Sequence, residues 1–412
     1  MTNVLKNWQA QKIENSQHFQ ELAYSEINEL TFTKREGKKL TLDDNTIVTD
    51  FVSCSYLGLD LDTRVITAAS KHLNETGTTF PAARTRIKSH LFTQLENLLN
   101  EIFYDAFTTT FSSLHLGHLG VLTILASGKL PSFPPDKNGF CFILDKTCHA
   151  SIQIQRALLS QFGDVLIINF NNKSELENAF LKSNKDYKKP VAIADSIGSM
   201  GGVIAIDLLF ELADKYKGYI YLDDAHGMSI YGKNGCGYVL DKLGYFHPRL
   251  ILSTSLSKAF GSVAGVIVLP TSLDDKILKH YSSTYIFSGP PPLSSISAAI
   301  ESAKIHLSNE IYMLQQRLQQ NIAYFDNQLP YDYIINSGST SPIRGIKVGD
   351  EFKAIQLSKL LKKENIAVTT AMYPTVAKSK AILRIALSAL HQKSDIDYLS
   401  KILIKNYQKI NV

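Results

Sequence analysis

The chain has 412 residues, with 43 basic against 38 acidic side chains for a formal charge of +5, and 44% hydrophobic against 20% charged residues. This is an ordinary globular balance on a chain too long for one compact core, so two domains are expected. The cations are spread along the chain, which argues against nucleic acid as a partner, and the longest apolar run, "LGVLTILA" at 119–126, is far short of a membrane span.

Taken in chain order, residues 1–20 are polar and lack the apolar core of a secretory signal, so a cytoplasmic protein is expected. The four cysteines, Cys54, Cys141, Cys148 and Cys236, form neither a CxxC pair nor a metal-ligand spacing. They read as free thiols in a reducing compartment, with no metal site. Residues 1–50 read as an N-terminal arm: a polar helix, then "KKLTLDDNTIVTDFVS", which alternates like a hairpin around Asp43, Asp44 and Asn45.

From about residue 60, helical patterns such as "TQLENLLNEIF" (93–103) and "DLLFELADKYK" (207–217) alternate with short apolar runs. Those runs are "FCFILD" (140–145), "VLIINF" (165–170), "VAIADS" (191–196), "YIYLDD" (219–224), "LILSTS" (250–255) and "GVIVLP" (265–270). Continuous apolar strands between helices predict an α/β fold with a mostly parallel sheet covered on both faces. Residues 51–285 are read as this large domain. Residues 286–412, opening with a helical stretch at about 294–327, are read as a smaller α+β domain.

Functional groups in such sheets gather at the carboxyl ends of the strands. Three predicted strands end in capable residues: Asp195 with Ser199, Asp223 with His226, and Ser255 with Lys258. An amine just beyond a buried strand loses its proton more readily than one in water and can form a Schiff base with an aldehyde. A lone lysine there is more often a surface residue, but this one has company. A carboxylate at Asp223 can pair with a protonated pyridine nitrogen, while the adjacent Asp224 can cap the next segment. "TTTFSSLHLGHLGVL" (108–122) reads as a hydroxyl-rich loop entering a helix, whose N-terminus suits a phosphate. Ser255 and Ser257 are further hydroxyl donors for the same group.

These residues resemble the α-oxoamine synthases, pyridoxal 5′-phosphate enzymes of fold type I (aspartate aminotransferase-like). "SCSYLGL" (53–59) is similar to the family's S-N-D-Y-L-G-L, "LDDAHG" and "SLSKAFGS" are its most specific pieces, and "RIALSALHQKSDID" (384–397) is similar to its R-x-x-x-x-A-x-H-x-x-x-D-I-D. The resemblance implies that Lys258 carries the cofactor aldehyde, Asp223 pairs with the pyridine nitrogen, and His226 neighbours the phenolate oxygen. His149 matches the histidine that stacks on the ring. Ser199 matches a serine near the cofactor, with Asp195 where a glutamate is usual. Ser113 and Leu114 fall at the phosphate loop, and Ser255 stands in for a threonine. Ser288 matches a hydroxyl that reaches the phosphate of the other subunit's cofactor, which implies a homodimer with shared active sites. Arg384 matches the arginine that grips the amino-acid carboxylate, and Arg84 an arginine near the substrates.

The implied activity is decarboxylative condensation of an amino acid with an acyl thioester, on coenzyme A or a carrier protein, giving an α-amino ketone. The sequence departs from the family in "GTTFPAARTRIKSHLFTQLE" (77–96), where a glycine-rich run is largely replaced and Phe92 stands for a histidine. It departs again in "FSSLHLGHLG", with Gly117 for asparagine. Both changes fall in substrate-side loops, so a specialised metabolic or signalling role is expected. The alternatives are an aminotransferase or aldolase on the same fold, or housekeeping 8-amino-7-oxononanoate synthesis.

Overall fold

The computed structural model describes residues 8–411, with side chains described from 13 to 407. Two compact units result: residues 59–315, and a second made of the chain up to 58 together with 316 onward. These borders differ from the 51–285 and 286–412 division read from the sequence, for two reasons. Helix Leu293–His306 buries Ile296, Ala299, Ile300 and Ala303 in the same apolar core as Leu91 and Leu95, so it belongs with the sheet. Residues 51–58 are instead tied to the C-terminal part: Ala386 N–H donates to Phe51 O at 2.9 Å and Ala389 N–H to Tyr56 O at 2.8 Å.

In the split unit, helix Trp8–Glu26 precedes strands β1 (Phe32–Glu36), β2 (Lys39–Leu42) and β3 (Ile47–Asp50), an antiparallel meander. The expected hairpin is present, and Asp44 accepts from Thr46 N–H at 2.8 Å in its turn. The C-terminal part supplies a second, antiparallel sheet in the order Ile334–Ile335, Ile343–Gly349, Ala381–Ala386, Thr369–Ala371.

Residues 59–315 hold a seven-stranded sheet. Its strands are β4 (Phe107–Phe111), β5 (Phe140–Asp145), β6 (Gly163–Ile168), β7 (Lys189–Asp195), β8 (Tyr219–Asp223), β9 (Leu250–Ser255) and β10 (Gly265–Leu269), in the order β4-β10-β9-β8-β7-β5-β6. Strand β10 runs antiparallel to both neighbours, and the others are parallel. Every residue of β5, β8, β9 and β10 is buried, as strands covered on both faces require. The flanking helices present regular apolar stripes, as in Leu91, Leu95, Leu99 and Ile102 of helix His90–Ile102. Each such leucine contributes about 1.5–3 kcal/mol on burial.

Strand β4 corrects the sequence reading, which took "TTTFSS" for a loop. Its threonines are buried because their hydroxyls are engaged: Thr108 Oγ1 bonds Asn100 Oδ1 at 2.7 Å, and Thr109 Oγ1 bonds Asp275 Oδ1 at 2.5 Å. Satisfied hydroxyls let a polar-looking run sit inside. The helical stretch 294–327 is likewise two helices, Leu293–His306 and Glu310–Asp326.

Candidate active site

The parallel register sets Asp195 of β7 beside Asp223 of β8, and Asp223 beside Ser253 of β9. The carboxyl ends of these strands therefore open onto one place, a cavity of about 200 Å³ lined by Leu114, His149, Asp195, Asp223, His226, Ser255 and Lys258, among others. All of these were singled out in the sequence. His115, Ser151, Ile197 and Ala225 also line it and were not. A larger groove of about 610 Å³, between helices Thr63–Thr76 and Leu293–His306, contains none of the expected site residues.

Lys258 sits in the short connection between β9 and β10. Leu256 N–H donates to Ala264 O and Ser262 N–H to Leu256 O, both at 2.9 Å, and Leu256 and Phe260 are fully buried. Small residues let the chain turn this tightly, and the buried pair fixes the loop that carries the amine. Ser255 is 8% exposed, and its Oγ accepts from Ser257 N–H at 3.1 Å. The hydroxyl-rich run thus orders its own turn as well as facing the cavity.

The two adjacent acids separate cleanly. Asp224 points away from the cavity: Ser196 donates to its Oδ1 and Val239 N–H to its Oδ2 at 3.3 Å. Gly237, at φ +98, leaves room for that carboxyl, because a Cβ there would lie 2.2 Å from Oδ2. Full burial pushes the Asp224 pKa up to about 7, against hydrogen bonds that pull it down. Asp223 lines the cavity and takes Ala225 N–H on Oδ1 at 2.9 Å, with His118 Nε2 3.2 Å from Oδ2. Burial raises its pKa, but the His118 hydrogen bond, the charges of His118 and Lys258 and the Ala225 N–H outweigh it, holding the carboxyl below its ordinary range. One acid is kept ionised at the cavity, the other is part of the framework.

Asp195 differs again. Its Oδ2 accepts from His149 N–H at 2.9 Å, while Oδ1 is buried without a hydrogen-bond partner. Burial and the neighbouring Asp223 charge push its pKa well up. His149 caps a short helix with its Nδ1 2.7 Å from Ser151 Oγ, and the residue keeps solvent access at the cavity mouth. Partial desolvation by the cavity walls favours the neutral ring and lowers its pKa, against the Asp223 charge. Ser113 caps helix Leu114–Ala126, accepting Leu116 N–H at 3.3 Å, and Leu114 and His115 bring that N-terminus to the cavity.

Six expected site residues are outside the cavity lining: Ser113 and Ser257, each next in sequence to a lining residue, and four that lie elsewhere. Ser199 is in the turn after β7 and does not line the cavity. Ser288 is exposed at the end of helix Ser283–Phe287 and donates to Thr284 O; the carbonyl of the next residue, Gly289, accepts from Ser112 Oγ at 2.5 Å, just before helix Leu114–Ala126. Arg84 sits inside the protein instead of on a substrate surface. It is 5% exposed, donates to Thr110 O at 2.7 Å, and packs its guanidinium 3.7 Å from the Tyr285 ring centroid. Arg384 belongs to the other unit, 6% exposed in strand Ala381–Ala386, with Nη2 3.4 Å from Cys54 Sγ and 3.5 Å from Tyr56 OH.

The cavity fits pyridoxal phosphate on its own chemistry. It offers an amine, an ionised buried acid, a neutral exposed imidazole, an orphaned carboxyl oxygen and a helix N-terminus. The aminotransferase class I and II family profile matches residues 157–403, and the chain belongs to that family, in its α-oxoamine synthase group of pyridoxal-phosphate-dependent acyltransferases. Among its relatives, an 8-amino-7-oxononanoate synthase of Coprothermobacter proteolyticus is 30% identical over 361 residues, covering 86% of this chain and 87% of the relative. The 8-amino-7-oxononanoate synthase 1 of Bacillus subtilis is 29% identical over 379 residues, covering 92% of each. In fold, a Sphingomonas wittichii serine palmitoyltransferase matches with a TM-score of 0.83 at 19% identity, over 98% of this chain and 99% of that one. Among the described residues no helix is long and apolar enough to cross a membrane.

Proposed function

We propose that this enzyme joins an α-amino acid to an acyl thioester, with loss of the amino-acid carboxyl as carbon dioxide, and releases an α-amino ketone and the thiol. The observation that carries the reading is the meeting of Lys258 and the ionised Asp223 in one cavity. Pyridoxal phosphate, when bound, supplies an aldehyde for amines and a protonated ring that withdraws electrons from the amino acid's Cα.

The residues divide the remaining work. Lys258 Nζ would hold the cofactor through its aldehyde and, when free, would take the proton from the amino acid's Cα. Asp223 would hold the proton on the ring nitrogen, His149 would cover the ring, and His226 would orient it through the phenolate oxygen. Ser113, the N-terminus at Leu114, Ser255 and Ser257 would hold the phosphate, and Ser199, outside the cavity lining, is assigned near the cofactor by resemblance alone. Arg384 grips the carboxylate that is later lost, through its planar guanidinium. Ser288 serves the partner subunit's cofactor, so the working form is a cytoplasmic homodimer with shared sites. Arg84, a substrate contact on resemblance alone, anchors the altered segment from beneath.

Two substrate readings follow, and both retain this chemistry. The altered segment 77–96 favours a specialised pair of substrates: Phe80 is 41% exposed, and Arg86 and Lys88 are exposed, in place of small residues. The names of the relatives favour the second, 8-amino-7-oxononanoate synthesis from alanine and pimeloyl-CoA. Mass spectrometry of products from a matrix of amino acids and acyl thioesters separates them. The first reading expects poor turnover of pimeloyl-CoA with alanine and efficient turnover of another pair; efficient turnover of that pair alone establishes the second.

Exposed cations that meet thioester phosphates act through a screened charge. Arg86→Glu is therefore expected to raise KM for the acyl thioester about three- to tenfold at low salt, less at high salt, with amino-acid binding unchanged. Steady-state kinetics at two ionic strengths check this, and an unchanged thioester KM removes Arg86 from the acyl site.

A further inference from the structure

His118 has no role in the scheme above, yet it is fully buried against the acid that scheme depends on. It lies in helix Leu114–Ala126, one turn in from the cavity. Its Nε2 is 3.2 Å from Asp223 Oδ2, and its Nδ1 is 2.6 Å from the hydroxyl of Tyr221, which is also fully buried. Tyr221 and Asp223 are alternate residues of β8, so both side chains leave the same face of the sheet and the imidazole spans them.

The proton positions follow from the partners. A neutral His118 takes the Tyr221 O–H on Nδ1 and carries its own proton on Nε2; a protonated one donates from both nitrogens. In either state the proton on Nε2 faces Asp223 Oδ2, 3.2 Å away, and no hydrogen bond to another group holds it. The other acid of the cavity has no such partner, since Asp195 Oδ1 stands alone. The donor from helix Leu114–Ala126 is thus what distinguishes the two neighbouring carboxyls. The preceding residue, Gly117, packs against β10, where a Cβ would lie 3.3 Å from the Ile267 side chain. This is the position at which the chain departs from the family pattern, with Gly117 for asparagine.

We propose that His118 is a positioning residue, held by Tyr221, that aims the Asp223 carboxyl, rather than that of Asp195, at the cofactor's ring nitrogen. The proposal rests on the assignment of Asp223 to that nitrogen. The other charged or titratable groups around Asp223 are Lys258, Asp195, His115, His149 and His226 on the cavity side, with Asp224 and Cys148 inside the protein; His118 acts from behind.

The test is cofactor affinity of the apoenzyme, by titration with pyridoxal phosphate and with its deaza analogue, whose ring nitrogen is replaced by C–H. His118→Phe is expected to weaken pyridoxal phosphate binding about tenfold or more, the scale of a hydrogen bond to a charged group. Binding of the deaza analogue should stay within about twofold, because nothing on that ring needs Asp223. His118→Gln, whose side-chain N–H reaches the same place, should restore pyridoxal phosphate binding. Equal weakening of both cofactors, no weakening of either, or a selective loss that persists in His118→Gln overturns the proposal. Asp223→Asn in the same assay keeps the two claims apart. If Asp223→Asn is selective and His118→Phe is not, His118 alone is wrong. If Asp223→Asn shows no selectivity, the assignment of the acid falls and takes this proposal with it.

Discussion

Lys258→Ala is expected to lower turnover by about 10³-fold or more while leaving the fold intact, because in the proposed reaction one substitution removes both the group that carries the cofactor and the base that takes the Cα proton. The loop around it does not depend on the amine: its backbone bonds and the buried Leu256 and Phe260 remain. Circular dichroism should therefore match the wild type. The variant should still bind pyridoxal phosphate through Asp223 and the phosphate loop, without the visible absorption that borohydride removes from the wild type. Retention of more than a few per cent of wild-type multiple turnover, on that scale of effect, would falsify the assignment of Lys258.

The second large effect separates neighbours. Asp223→Asn should lower kcat by about 10²–10³-fold, since a neutral amide cannot hold the proton on the ring nitrogen and the electron demand at Cα is lost. Asp224→Asn should cost less than about tenfold in kcat, because that carboxyl serves Ser196 and Val239 rather than the cavity. Its signature is in stability. Asp224 binds its proton more tightly folded than unfolded, with a folded pKa of about 7, so the fold loses stability as pH rises from the ordinary carboxylate range toward 7. Asp224→Asn should flatten that part of the stability profile. Steady-state kinetics and urea unfolding at several pH values check both halves; equal kinetic losses, or the reverse order, contradict the geometry.

How much of this was legible beforehand depended on the physical signal. Strands β5, β7, β8, β9 and β10 announce themselves as short apolar runs because both faces of a parallel sheet are covered. The same logic hid β4: "FTTTF" looks polar until its hydroxyls are seen bonded to Asn100 and Asp275. The unit borders were hidden because helix Leu293–His306 follows on from polar loops, and only packing shows that it shares a core with Leu91 and Leu95.

At the site, residues at strand ends could be read from spacing and resemblance: Lys258, Asp223, His226, Ser255, Asp195. The choice between Asp223 and Asp224 rested on resemblance until the hydrogen bonds of Asp224 were in view. Arg84 shows the opposite failure, an arginine at a plausible position whose guanidinium is packed beneath Tyr285. His118 gave one signal, a second histidine three residues beyond His115 in a helix that starts at the cavity. Helical spacing alone cannot show that one ring faces the cavity and the other the acid behind it.

The central claim is tested most directly by the fate of the amino-acid carboxyl. The holoenzyme is given a carboxyl-labelled amino acid with an acyl thioester that it turns over, and labelled carbon dioxide, free thiol and amino ketone are quantified together. Decarboxylative condensation predicts the three in equal amounts, with no carbon dioxide when the thioester is withheld. Consumption of the amino acid with its carboxyl retained, as a keto acid or a cleavage product, would contradict it.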